Sequence, residues 1–184
     1  MFQLKSVPLG YSLQRRLHIG VHLRLFERGN RLNDRLQVRP VQQKDFAKWK
    51  PLWDGYNAFY GRKGETALPD AITSMTWSRF FDGYEPMHAL IAEQGDQLLG
   101  LTHYIFHRST TSLGPVCYLQ DLFTVEASRG RGVGRSLIEE VYRRAADAGC
   151  SRVYWNTHKT NVTAMKLYDK VAEESGFLVY RKIL

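Results

Sequence analysis

The sequence predicts an α/β fold of the α+β kind, with a mixed, mostly antiparallel central sheet flanked by helices on both faces. Three observations carry this expectation. Short apolar strand-like runs alternate with stretches of helical periodicity. A turn signal, Gly95-Asp96, sits between two of those runs, and the run "CYLQDLFTV" passes through the glycine-rich "SRGRGVGRSL" into an amphipathic helix. At 184 residues, 43% of them hydrophobic and 12% aromatic, the chain is long enough for one domain with a proper core and too short for two of ordinary size.

The elements follow from residue 36 onward. "LQVRPV" reads as a short edge strand, with Pro40 tolerated at its end. A helix over 44–60 is expected because Phe46, Trp49, Trp53, Tyr56 and Tyr60 recur at i, i+3, i+7, i+10 and i+14 and place five rings on one face. "GRKGET" is a loop. Pro69 then sets the first turn of a second helix, for which Ile72, Met75, Phe80 and Phe81 supply apolar surface and Gly83 the end. "MHALIAEQGDQLLGLTHYIFHRS" reads as two strands around its turn, and the strand over 117–125 is too continuously apolar to be an exposed edge. A helix over 133–148 follows, with Val133, Leu137, Val141 and Ala148 inward and Gly149 as its stop. "SRVYWNT" reads as a buried strand, "NVTAMKLYDKVAEESGF" as a helix, and "FLVYRKIL" as a final strand.

Charge and cysteine content narrow the class. Of the net +8, +5 lies before residue 38, so residues 1–35 form a basic N-terminal extension and residues 36–184 a domain of modest charge. The extension is expected to be peripheral, with dimerisation or an acidic partner as its alternative uses. It also has a faint transit-peptide character, which Pro8, Gly10, Gly20 and Gly29 interrupt. A nucleic-acid-binding core would carry its basic residues on the folded surface, so no nucleic-acid partner is expected. No apolar run approaches the roughly 18 residues of a membrane span, so no membrane partner is expected either. Cys117 and Cys150, the only cysteines, suit buried thiols in a reducing compartment, and the expected location is cytoplasmic.

A strand that feeds a glycine-rich turn into a helix leaves several N–H groups unpaired at the positive end of the helix dipole, which makes an anion site. The dinucleotide pattern G-x-G-x-x-G would begin at Gly130 and Gly132 but ends on Arg135, and no Gly-Lys pair stands nearby for a P-loop. Arg129, Gly130, Arg131, Gly132, Val133 and Gly134 instead match [QR]-x-x-G-x-[GA]. Downstream, Asn161, Ala164 and Tyr168 fall at i, i+3 and i+7, one stripe of a helix.

With these blocks in this order, the chain from about Leu36 to its end resembles the GNAT superfamily of N-acetyltransferases. The resemblance implies acetyl-CoA as cofactor, with its pyrophosphate on residues 129–135, Arg135 included. It also implies a pantetheine arm paired with the freed backbone of Leu122, Phe123, Thr124 and Val125 and passing Asn161 and Ala164. Tyr168 would protonate the departing CoA thiolate. The words "YNAFYG", "TWSRFFD", "HYIFHRST", "YLQDLFT" and "LYDKVAEESGF" are similar to the subgroup that includes fungal histone and D-amino-acid acetyltransferases. Seven residues separate Tyr168 from Gly176, which implies a helix about one turn longer than in many members.

An amine with a pKa near 10 arrives protonated and must lose a proton before it attacks. Polyamine acetyltransferases read Leu-Glu-Asp on this strand, and the glutamate is held to be the base; here the place reads "LQD", with Gln120 in the glutamate's position. Asp121 is the nearest carboxylate, Glu93 and Glu85 are further candidates, and an ordered water is an equal alternative. Tyr56, Tyr60, Glu85, Gln120 and Asp121 are the expected acceptor-binding residues. His103 and His107 share a strand face, but without a carboxylate at ligand spacing they are expected to be structural and no metal is expected. The expected activity is transfer of an acetyl group to a primary amine of a small molecule, a polyamine or an amino acid. The alternatives are acetylation of protein lysines and a non-enzymatic CoA-binding or basic interaction module. A homodimer is expected, with "FLVYRKIL" available to extend a partner's sheet.

Overall fold

The computed structural model describes residues 35–184, and the basic extension, up to residue 34, lies outside the described residues. Five strands, β1 (Gln37–Pro40), β2 (Met87–Gln94), β3 (Gln97–His107), β4 (Val116–Thr124) and β5 (Val153–Tyr154), form one sheet in sequence order. Neighbours are antiparallel except β4 and β5, which run parallel. The helices are α1 (Phe46–Phe59), α2 (Asp70–Arg79), α3 (Val133–Asp147) and α4 (Val162–Tyr168).

Both sheet faces are covered, as alternation along β2 requires. Ala89 and Ile91 pack beneath α1 with Trp49, Leu52, Trp53, Tyr56 and Leu101, while Leu90 and Ala92 face α3 with Leu119, Val133, Leu137, Ile138 and Val141. The ring stripe of α1 is stacked along its length: Trp49 on Trp53 at 5.7 Å and Trp53 on Tyr56 at 5.5 Å between centroids. Edge strand β1 is pinned by Arg39, which donates to both Asp45 (2.6 and 3.1 Å) and Glu93 (2.9 and 2.8 Å). Such charge-assisted forks fix geometry as well as charge.

Four expectations are corrected. In α2, Ile72 and Met75 point outward, 46% and 54% exposed, and the helix ends at Arg79 rather than Gly83. Its inner face is Thr73, Trp77 and Phe80, because Trp53 Nε1–H donates to Thr73 Oγ1 (3.3 Å) and Trp77 packs 4.8 Å from Trp49. On α3 it is Ala145 that is buried, while Ala148 caps the helix in solvent. The expected buried strand over 151–157 contracts to Val153–Tyr154, half-buried and exposed, because β4 and β5 pair only at Cys117–Val153 and Tyr118–Tyr154 before they part.

The fourth correction concerns the end of the chain. α4 stops at Tyr168 and is continued by turn hydrogen bonds as far as Ala172. Residues 173–184 form no regular element, and Phe177, Leu178, Val179, Tyr180 and Ile183 are exposed. With two residues, β5 is too short a ladder to template the sixth strand that the apolar pattern suggests.

Candidate active site

The glycine turn is held in place from behind. Buried Ser128 lies with its Oγ 2.9 Å from the Val125 carbonyl and 3.2 Å from that of Leu99, and the Val125 N–H also donates to Leu99 (2.9 Å). Gly130 and Gly132 then adopt φ of +75° and +85°, which a side chain would strain. Gly132 caps α3, and the first bond inside the helix is Ser136 N–H to the Gly132 carbonyl (2.9 Å), so the N–H groups of Val133, Gly134 and Arg135 lack helical partners. At Gly134 the reason for glycine is space: a Cβ there would come 3.3 Å from Leu167 on α4. Arg131 reaches Gln94 (3.0 Å) and Arg135 lies 3.5 Å from Glu139.

Beyond Tyr118, β4 keeps β3 as its partner, with Leu122, Phe123 and Thr124 opposite Thr102, Leu101 and Gly100, but it has left β5. Among the described residues its other edge thus carries unpaired amide and carbonyl groups beside the glycine turn. α4 supplies the stripe foreseen in the sequence: Asn161 as N-cap, Ala164, and Tyr168 with its ring 5.3 Å from Trp155. Asn161 Nδ2 lies 3.5 Å from Thr157 Oγ1, and Thr157 in turn stands near Tyr168. Burial, and next the proximity of Tyr60, push the Tyr168 phenol up to about 12, so it keeps its proton through the neutral range.

A β-bulge aims the carboxylate. Leu119 stands opposite Tyr104 and Asp121 opposite His103, which leaves Gln120 without a partner. In a regular strand, Leu119 and Asp121 would share a face; the extra residue instead sends Leu119 toward α3 and Asp121 toward the rings of α1. Asp121, 8% exposed, meets His103 Nδ1 through Oδ2 at 2.9 Å, and the Tyr56 hydroxyl stands near it. Burial foremost, then the Asp121 charge, raises both Tyr56 and Tyr60. Arg62, bonded to Asn57 Oδ1 at 2.7 Å, lies 5.9 and 5.7 Å from the centres of the two tyrosine rings. Tyr168, Tyr60, Tyr56 and Asp121 therefore form one electrostatically linked cluster at the free side of β4.

Other sequence candidates lie in their own ion pairs. Glu85 is 3.2 Å from Arg79, and Glu93 is locked to Arg39. Gln120 points to solvent. His107 is separate from His103: its Nε2 accepts from Tyr154 Oη and its Nδ1–H donates to the Arg108 carbonyl, each at 2.9 Å. No group of three or more His, Cys, Asp or Glu able to hold a metal is present among the described residues. Thr157, Arg62, and the pairing of His103 with Asp121 were not foreseen. The signal for the last was present: two polar residues inside apolar strand runs that become neighbours once β3 and β4 pair.

A helix N-terminus with open N–H groups beside a strand edge with open amides, and a protonated tyrosine at their junction, define a protein that cradles a long, phosphate-bearing acyl carrier. The chain belongs to the GNAT acetyltransferase family, whose model matches residues 49–172. It is 36% identical over 154 residues to the D-amino-acid N-acetyltransferase HPA3 of Saccharomyces cerevisiae, covering 82% of this chain and 92% of that one. A thialysine N-epsilon-acetyltransferase of Mus musculus is 30% identical over 51% of this chain and 62% of its own. Among solved structures, an aminoglycoside N-acetyltransferase in complex with CoA shares the fold at a TM-score of 0.69 and 18% identity, covering 81% of this chain and 95% of that chain.

GNAT acetyltransferases use acetyl-CoA, and the residues present fit it. The positive-φ glycines leave the N–H groups at the start of α3 accessible, Gly134 keeps the passage beside Leu167 clear, and β4 presents an unpaired edge. When bound, the group supplies an acetyl thioester.

Proposed function

We propose that the enzyme acetylates a primary amine of a small molecule, a polyamine or an amino acid, in a ternary complex. The observation that carries this is the linked cluster: the carboxylate Asp121 is coupled to Tyr60, and Tyr60 in turn to a phenol, Tyr168, that keeps its proton. An ammonium group is drawn to Asp121 between the rings of Tyr56 and Tyr60 and gives up its proton there or to a water beside it. Tyr168, which keeps its proton, donates its O–H to the sulfur that departs. The residues over 129–135 hold the pyrophosphate, and Asn161 and Ala164 border the pantetheine arm. The similarity to a D-amino-acid acetyltransferase and to a thialysine acetyltransferase supports a small amine.

Calorimetry with acetyl-CoA, followed by CoA-thiol release against polyamines, amino acids of both hands and lysine peptides, tests the reading. Binding with turnover on a small amine is the expected result; turnover on peptides alone would overturn it.

We also propose that the enzyme is a homodimer. The exposed apolar residues Phe177, Leu178, Val179, Tyr180 and Ile183, and the outer edge of β5, support it. A monomeric mass at micromolar concentration would count against it.

A further inference from the structure

We propose that Trp49 and His103 are positioning residues that keep Asp121 an uncompensated carboxylate for the acceptor's ammonium group, a proposal that rests on the acceptor reading above. His103 is 1% exposed and hydrogen-bonded at both ring nitrogens: Trp49 Nε1–H approaches Nε2 at 3.1 Å, and Nδ1 meets Asp121 Oδ2 at 2.9 Å. An indole N–H can only donate, so Nε2 must be the acceptor nitrogen. The ring proton is then on Nδ1 and donates to Asp121. The imidazole is neutral in this arrangement, since a second proton on Nε2 would point at the indole N–H.

The consequence is electrostatic. The donor that Asp121 receives from His103 is neutral and places no positive charge against the carboxylate. Among the described residues no Lys or Arg nitrogen lies within 4.0 Å of it. An imidazolium in the same place would form an ion pair with Asp121 and remove the attraction for a cation. The ring is enclosed by aromatic side chains: Trp49 and Trp53 from α1 lie at 5.8 and 5.3 Å and Phe80, after α2, at 4.7 Å. The groups of opposite or ionisable character facing the site are Asp121 on β4, Tyr56 and Tyr60 at the end of α1, and Arg62 beyond them. Trp49 thus acts as a guard against the second proton.

The ring state is read directly by imidazole ¹⁵N NMR of the full-length protein, with His103 assigned by its loss in His103→Asn. A protonated Nδ1 and bare Nε2 are expected at neutral pH; an Nε2–H tautomer or an imidazolium there would overturn the proposal, whatever the enzyme acetylates. Trp49→Phe keeps a ring but removes the donor and leaves Nε2 open to a second proton as the pH falls. Relative to wild type, KM for a cationic amine should then rise about tenfold between pH 8 and pH 5.5, with kcat changed less than threefold. Adding His103→Asn, whose amide still donates to Asp121 but takes no proton, should abolish that rise. A Trp49→Phe profile that parallels wild type sinks the proposal, whereas loss of CoA release with every amine sinks the acceptor reading instead. If Trp49→Phe does not fold, the ¹⁵N spectrum of the wild type still decides.

Discussion

Asp121 stands opposite His103 across the β3–β4 ladder, and Leu119 stands opposite Tyr104, so the residue between them, Gln120, faces solvent without a partner. The position that polyamine acetyltransferases fill with glutamate is therefore the bulged one, and the buried carboxylate is its neighbour. Asp121→Asn should lower kcat/KM about 10²-fold, the lower range for loss of a proton-accepting group, with acetyl-CoA affinity retained. Gln120→Ala should stay within about threefold. Steady-state kinetics of the two variants on one amine make the comparison, and equal effects would remove Asp121 from the acceptor site.

The glycine turn makes a prediction about binding that is separable from folding. At Gly132 a β-branched residue would be forced to a φ of +85°, at a strain of roughly 1–3 kcal/mol. At Gly134 the new Cβ would press on Leu167 at 3.3 Å, a side chain able to yield a few tenths of an ångström. Gly134→Val should therefore weaken acetyl-CoA binding at least tenfold while Tm falls by only a few degrees. Calorimetric titration and thermal unfolding of the same sample check it.

The two halves of the site differed in how far the sequence disclosed them. Glycines at 130, 132 and 134 and the Asn161–Tyr168 stripe are local patterns, and they fold where local rules put them. The orientation of Asp121 is not local. It depends on a bulge in β4, and a one-residue shift changes which face every later side chain takes. His103 was expected to be merely structural because its partners, Trp49 and Asp121, lie 54 and 18 residues away along the chain. The C-terminal run shows the converse failure. Its apolar pattern favours a strand, but a strand needs a ladder to join, and the two residues of β5 do not provide one.

Tyr168 is expected to act through its proton. Tyr168→Phe should lower kcat by about 10²-fold and leave the Kd for acetyl-CoA within twofold, because the ring that packs on Trp155 is kept. With the phenol held near 12, no alkaline limb from Tyr168 should enter the rate profile below about pH 10. The same burial acts on stability. Tyr168, Tyr104 and Cys117 all lie near 12 in the folded protein, above their unfolded values, so the unfolded chain releases these protons first as pH rises. Their contribution is fully present below about pH 8.5 and is lost progressively up to about pH 12. Urea midpoints measured from pH 7 to pH 11 should fall along that range, and less steeply in Cys117→Ala.

The exposed C-terminal segment bears on assembly. Phe177, Leu178, Val179, Tyr180 and Ile183 are between 70% and 91% exposed, an apolar run that a solitary domain would leave against water. Among the described residues β5 is the outermost strand, and its edge away from β4 has no partner there. Burial of these side chains against a second copy would remove apolar surface at about 25 cal/mol per Å². Truncation after Gly176 should then convert a dimer to a monomer in sedimentation velocity, while acetyl-CoA binding survives, since residues 129–135 and α4 do not depend on the segment. Val179→Lys should act in the same direction, because a charge in the middle of a buried strand is costly to desolvate. A dimer that persists in both variants would place the interface elsewhere, and a wild-type chain that sediments as a monomer would mean that these side chains remain in solvent.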